Sequence, residues 1–157
     1  MQIAIQNRRK QPRLTTPKLK KIVQTICAGL GFETLELSVV ITDDETIHSL
    51  NQQWRNKDKP TDVLSFPLEE GTVDPRAFRG HLGDVVISAE TAARQAHHYE
   101  HGFEAELRRL LVHGILHLVG HDHIHGGRQA AKMKKEEERL LDCLSTELGD
   151  ADRGRER

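Results

Sequence analysis

The chain of 157 residues is 36% hydrophobic, 4% aromatic and 30% charged, with a formal net charge of −1. That length suits one domain with a sizeable core, and no apolar run approaches the length needed to cross a membrane. The apolar N-terminal patch is too short for a secretory core and its basic residues follow it, so the expected location is cytoplasmic; Cys27 and Cys143, outside any Cys-x-x-Cys pattern, are expected to be reduced thiols. The near-neutral total hides a basic start, because Arg8, Arg9, Lys10, Arg13, Lys18, Lys20 and Lys21 fall within the first 32 residues, which hold no acid. Two readings of that stretch stay open: a face for an anionic partner, or charges that solvate an amphipathic helix.

In chain order, Met1 to Gln6 alternates like a strand, and Thr16-Pro17 reads as a helix cap with a first-turn proline opening an amphipathic helix to about Gly29. Leu35 to Thr42, rich in Leu, Val and Ile, is a second strand. Asp43 and Asp44 can cap a helix through Trp54, broken by Asn-Lys-Asp-Lys-Pro. Asp62 to Phe66, closed by Pro67, is a third strand, at an edge or a terminus of the sheet. Glu69 to Phe78 carries Gly, Pro and acids and is expected to be a mobile loop. His81 to Ser88 is a fourth strand, Ser88 caps a helix to about Tyr99, and Phe103 to Val119 is a helix with Leu107, Leu110, Leu111, Ile115 and Leu118 on nearly every turn, hence central and buried. A last amphipathic helix covers about Gly127 to Leu148, and Gly149 to Arg157 reads as a frayed charged tail. Without repeats, linkers or strict strand–helix alternation, the expectation is an α+β fold: one domain over 1–148 with a small twisted, mostly four-stranded sheet packed on about five helices, and a tail over 149–157.

The chemistry concentrates in His113-Gly-Ile-Leu-His117-Leu-Val-Gly120-His121-Asp122-His123. Residues four apart on a helix share a face, so His113 and His117 can reach one ion. His123 would point elsewhere on a continued helix. Gly120 is suited to the left-handed conformation that ends the helix and doubles the chain back, delivering His123 as a third ligand. The spacing matches the metal frame of metzincin peptidases, except that Gly114 stands where those enzymes carry the glutamate that serves as general base. A peptidase reading therefore lacks its base. Three neutral ligands keep the site's charge close to that of the bare ion, which favours an acidified water and an anionic ligand such as phosphate. A purely structural metal site remains a second reading. His121, Asp122 and His125 add density without an assigned role: exposed loop residues, partners of a ligand imidazole and loop caps all stay open.

That histidine stretch, together with Leu50-Asn-Gln-Gln-Trp-Arg55 through Thr61-Asp-Val-Leu-Ser-Phe-Pro67 and Leu82-Gly-Asp-Val-Val-Ile-Ser88, closely resembles the bacterial YbeY family, block by block and over most of the chain. The resemblance implies a zinc-dependent, single-strand-specific endoribonuclease acting in rRNA processing, at the 3′ end of the small-subunit RNA, and in ribosome quality control. It also implies one zinc ion per chain on His113, His117 and His123, and a functionally important Arg55. The implied partners are single-stranded RNA or an rRNA precursor, the small ribosomal subunit and the GTPase Era, with neither DNA nor membrane. A guanidinium at Arg55 suits the role, since it can hold two phosphate oxygens as charge builds on them; taken alone, Arg55 also fits a surface residue at a helix end. Asp84 matches a position linked in the family to ribosomal contacts, and a turn-capping or strand-edge role is equally physical. The general base stays unidentified, with water activated at the metal and the ribose 2′-hydroxyl as the two candidate nucleophiles. Two other readings compete: a ribosome-assembly factor with a structural metal and little turnover, and, more remotely, a metallopeptidase.

Overall fold

The computed structural model describes residues 1–8, 14–69, 71–121 and 127–151. Arg9, Lys10, Arg13, Asp122, His123, His125 and the stretch 152–157, all singled out above, lie outside the described residues. The elements run β1 (Gln2–Asn7), α1 (Thr16–Leu30), β2 (Glu36–Thr42), α2 (Asp44–Arg55), β3 (Val63–Pro67), β4 (His81–Ser88), α3 (Ala89–His98), α4 (Phe103–Val119) and α5 (Gly127–Leu148). Among the described residues this is an α+β arrangement of five helices and one four-stranded sheet.

The sheet order is β1-β2-β4-β3. β1 and β4 lie parallel to β2, while β3 runs antiparallel to β4 and ends the sheet. Pro67 is tolerated there because an edge strand has one side with no ladder partner to lose. Alternation along the strands divides the side chains between two faces. Val39, Ile41, Val85 and Ile87 join the main core with Leu110, Leu111, Ile115 and Leu118 of α4. Leu64 and Val86, from the intervening positions, form a smaller cluster with Ile47 of α2, bordered by Val40, Leu50 and Phe66. β3 is therefore flanked by α4 on one face and α2 on the other.

Local signals set the helix ends. The α1 cap is Thr15, whose hydroxyl accepts from the Lys18 amide, one residue before the expected Thr16; Pro17 falls in the first turn, where its missing N–H costs nothing. Asp43 caps α2 by accepting from the Thr46 amide, and Ser88 caps α3 through the Thr91 amide. The segment expected to be a mobile loop is a loop, exposed over most of its described length and anchored at two points. Val73 is buried and its amide donates to the Val119 carbonyl at 2.9 Å, while Phe78 meets the Phe32 ring edge-on. Past α5, the Gly149 carbonyl accepts from Arg108 at 2.9 Å, so the chain is still tied down where the tail was expected to begin. Of the basic stretch, Lys18 pairs with Glu104 at 2.7 Å, whereas Lys20 and Lys21 are exposed.

Candidate active site

α4 is buried over most of its length, and its C-terminal turns present His113 and His117. His113 and His117 stand with their Nε2 atoms 3.1 Å apart and their ring centroids 4.6 Å apart. Two nitrogens bound tetrahedrally to a first-row ion at roughly 2.0–2.1 Å would be about 3.3 Å apart, so the pair is already close to ligand spacing. On the far side of the His113 ring, Nδ1 lies 2.7 Å from Glu137 Oε2 of α5. A carboxylate there can accept a hydrogen bond from Nδ1–H, which favours the tautomer with its lone pair on Nε2, the one a metal requires. Among the described residues no three His, Cys, Asp or Glu side chains form a metal-ligating group. The third expected ligand, His123, lies outside them.

Gly120 does what the spacing predicts up to that point. It closes α4 at φ 108°, its amide donating to the His117 carbonyl and the His121 amide to the Leu116 carbonyl, the two bonds of a Schellman turn. A side chain at Gly120 is excluded twice, by that backbone conformation and by the Gly71 carbonyl, 2.6 Å from where a Cβ would lie. Gly114 is constrained by packing instead. A Cβ there would stand 2.9 Å from Val85 Cγ1 and 3.3 Å from both Ser65 Oγ and Val63 Cγ2. The helix lies so close on β3 and β4 that the zincin glutamate has no room at this position.

Ser65 ties the two flanking helices together. Its hydroxyl donates to the Gly114 carbonyl at 2.8 Å, and its own carbonyl accepts from Arg55 Nη2 at 2.6 Å. Arg55, at the end of α2, also has its guanidinium carbon 5.7 Å from the Phe66 ring centroid, near enough for a cation–π contact. Arg55 and the two histidines, 58 and more residues apart in the chain, thus line one cavity of about 750 Å³ with Lys57, Lys59 and Asp62. Glu69 and His121 line it as well, and burial pushes the His121 imidazole below its ordinary value against the opposing pull of Glu136. Asp84 lies elsewhere, on β4, 3.5 Å from His81 Nε2.

Sequence reasoning missed Glu137, Ser65, Lys57 and Lys59. Lys57 and Lys59 follow Arg55 closely and could have been read as a basic run. Nothing local marks Glu137, one of three consecutive glutamates.

The class so defined is an α+β protein with a histidine pair set in a cavity beside arginine and lysine, side chains of the types that can hold a metal ion and an anion. The comparisons with known proteins narrow this class. The family model for Endoribonuclease YbeY matches residues 4–145. The Endoribonuclease YbeY of Aquifex aeolicus (strain VF5) is 46% identical over 141 residues, covering 88% of this chain and 90% of that protein. That of Geobacter metallireducens is 42% identical over 151 residues, covering 94% and 98%. The solution structure of a Thermotoga maritima protein superposes with a TM-score of 0.60 at 28% identity and 99% coverage of both chains. The chain belongs to the Endoribonuclease YbeY family.

Proposed function

We propose that this chain is a metal-dependent endoribonuclease that cuts single-stranded RNA in rRNA processing, with His113, His117 and His123 holding one zinc ion and Arg55 acting on the scissile phosphate. The observation that carries the reading is the convergence of the His113 and His117 Nε2 atoms, 3.1 Å apart and backed by Glu137, in the cavity that Arg55 also lines. When bound, zinc supplies Lewis acidity, polarising a phosphate oxygen and lowering the pKa of a coordinated water.

The chain's own residues supply the rest. Ser65 and Phe66 hold the Arg55 guanidinium from behind, committing one N–H to a carbonyl and leaving others for non-bridging phosphate oxygens. Holding the arginine in place before the substrate arrives lets it meet charge as it develops, with little reorganisation. Lys57 and Lys59 add a positive approach for the flanking backbone. The His113 side chain is only 26% exposed, so a phosphate must enter the cavity to reach it, which a flexible strand does more easily than a duplex. Gly114 leaves no glutamate to serve as a peptidase base, and the crowding around it supports the nuclease over the peptidase.

By family resemblance the substrate is the 3′ end of the small-subunit precursor, the partners are the small ribosomal subunit and the GTPase Era, and the work is ribosome maturation and quality control in the cytoplasm by one unit over residues 1–148. No described helix is long and apolar enough to cross a membrane.

The test is cleavage of an end-labelled small-subunit precursor RNA by wild type, His117→Ala and Arg55→Ala purified identically, with elemental analysis of each. Cutting by wild type alone, with zinc lost only from His117→Ala, is the expected result. Equal background cutting by all three would overturn the enzyme reading and favour an assembly factor with a structural metal.

A further inference from the structure

α2 carries an apolar stripe at helical spacing, Ile47, Leu50 and Trp54. Ile47 is fully buried and Leu50 packs on the same small cluster, yet Trp54, one turn further on, is 63% exposed. Single exposed apolar residues are ordinary on a protein surface. This one is set apart by its place: it precedes Arg55, and Arg55, Lys57 and Lys59 all line the cavity that holds the histidines. Among the described residues the indole stacks on no other ring, whereas the other exposed aromatic, Tyr99, is met edge-on by His98 and His101.

We infer that Trp54 is a stacking platform for a base of the single-stranded RNA, next to the nucleotide whose phosphate Arg55 engages. The inference deepens the endoribonuclease reading and rests on it. A π-face beside a row of cations is the combination that binds single strands without reading their sequence, because every base can stack while the cations follow the backbone. It also gives strand selectivity a physical source, since bases already stacked in a duplex are not available to the indole.

Trp54 is the only tryptophan in the chain, so its own emission reports the contact. The probes are a 12-nucleotide oligoadenylate and an abasic strand of equal length, titrated unlabelled for emission and end-labelled for anisotropy, with cleavage kinetics on the same oligoadenylate. Saturating oligoadenylate is expected to quench the emission, while the abasic strand, which keeps every phosphate, binds more weakly and leaves emission unchanged. Trp54→Ala should raise KM roughly tenfold, with the loss falling on KM rather than kcat, and Trp54→Phe should recover most of it; Tyr99→Ala should match wild type. Binding and cutting of oligoadenylate with unchanged emission and an unchanged KM for Trp54→Ala would overturn the platform while leaving the nuclease reading intact. Failure of wild type to bind or cut either RNA would overturn the nuclease reading, and the platform with it.

Discussion

The two ends of α4 both carry ionisable side chains on a buried helix, and they resolve that burden differently. At the N-terminal end Glu104 accepts from Arg108 one turn later, at 2.8 Å, and from Lys18. Glu106, with a side chain 0% exposed, accepts from Arg109, His101 and Gln95. Every charge there is met from within the chain, and the cluster is complete without a ligand. At the C-terminal end the His113 and His117 nitrogens converge and line a cavity. A closed cluster serves the fold, because a buried charge is tolerated only when matched. The histidine pair is also tied down, by Glu137, so the two ends differ in access to a cavity and not in whether their side chains have partners.

Substitutions at each end sharpen the contrast. The largest effect is expected for His117→Ala: RNA cleavage should fall by about a thousandfold or more, several kcal/mol of lost electrophilic assistance, with the melting temperature in chelator within about 2 °C of wild type. Cleavage above a tenth of wild type would break the distinction. Glu106→Ala should do the reverse, lowering unfolding free energy by about 3 kcal/mol in urea titrations because Arg109, His101 and Gln95 lose their shared acceptor. Its cleavage per folded molecule should match wild type. Glu137→Gln is next, weakening zinc affinity about 10- to 100-fold in competition with a chromogenic chelator while the fold is retained; undiminished affinity would remove Glu137 from the site.

Gly114→Ala tests the close approach of helix and sheet. Its Cβ must displace Val85, at a cost of about 1–3 kcal/mol measurable by denaturation, and no loss would mean that β4 yields easily.

The gentlest probe is acid. Burial by itself would raise the Glu106 carboxyl, but the hydrogen bond from Arg109, with those from His101 and Gln95 and the Arg109 charge, holds it below the ordinary carboxylate range. Asp44 behaves alike: burial opposes, while hydrogen bonds from Ser88, Thr91 and Arg94 prevail. Both stay ionised in the fold at a pH where the unfolded chain already takes up the proton. Their stabilisation is complete above the ordinary value of 4.5 for Glu106 and 3.8 for Asp44, and is lost as pH falls through the folded values. Below about pH 4.5 stability should fall at no more than about 1.4 kcal/mol per pH unit for each proton, and Glu106→Gln should flatten that slope. Parallel curves for the two proteins would place the acid sensitivity elsewhere.

Much of this was legible in the chain because it is local. His-x3-His puts two imidazoles on one helix face by the 3.6-residue repeat alone, and the Asp43 and Ser88 caps need only a side chain three residues from an amide. β1 emerged from alternation, β2 from its Leu, Val and Ile content, and the end of β3 from Pro67. The loop over 69–78 was legible from its Gly, Pro and acidic residues, but its anchor was not, because Val73 is held by a carbonyl 46 residues away, on α4.

By itself, then, the sequence determined the elements, the caps of α2 and α3, the histidine pair and the glycine that ends α4, since each depends on dihedral preferences and spacing within a few residues. Only the tertiary structure decided that Arg55 meets the histidines across β3, through a serine bonded to both helices. Only it chose Glu137 over Glu136 and Glu138, because one residue is 100° of helix and the phase of α5 against α4 is set by the whole of their packing. And only the tight seat of α4 on the sheet explains why position 114 is glycine: the missing side chain answers to Val85 and Ser65, which no neighbour in sequence reveals.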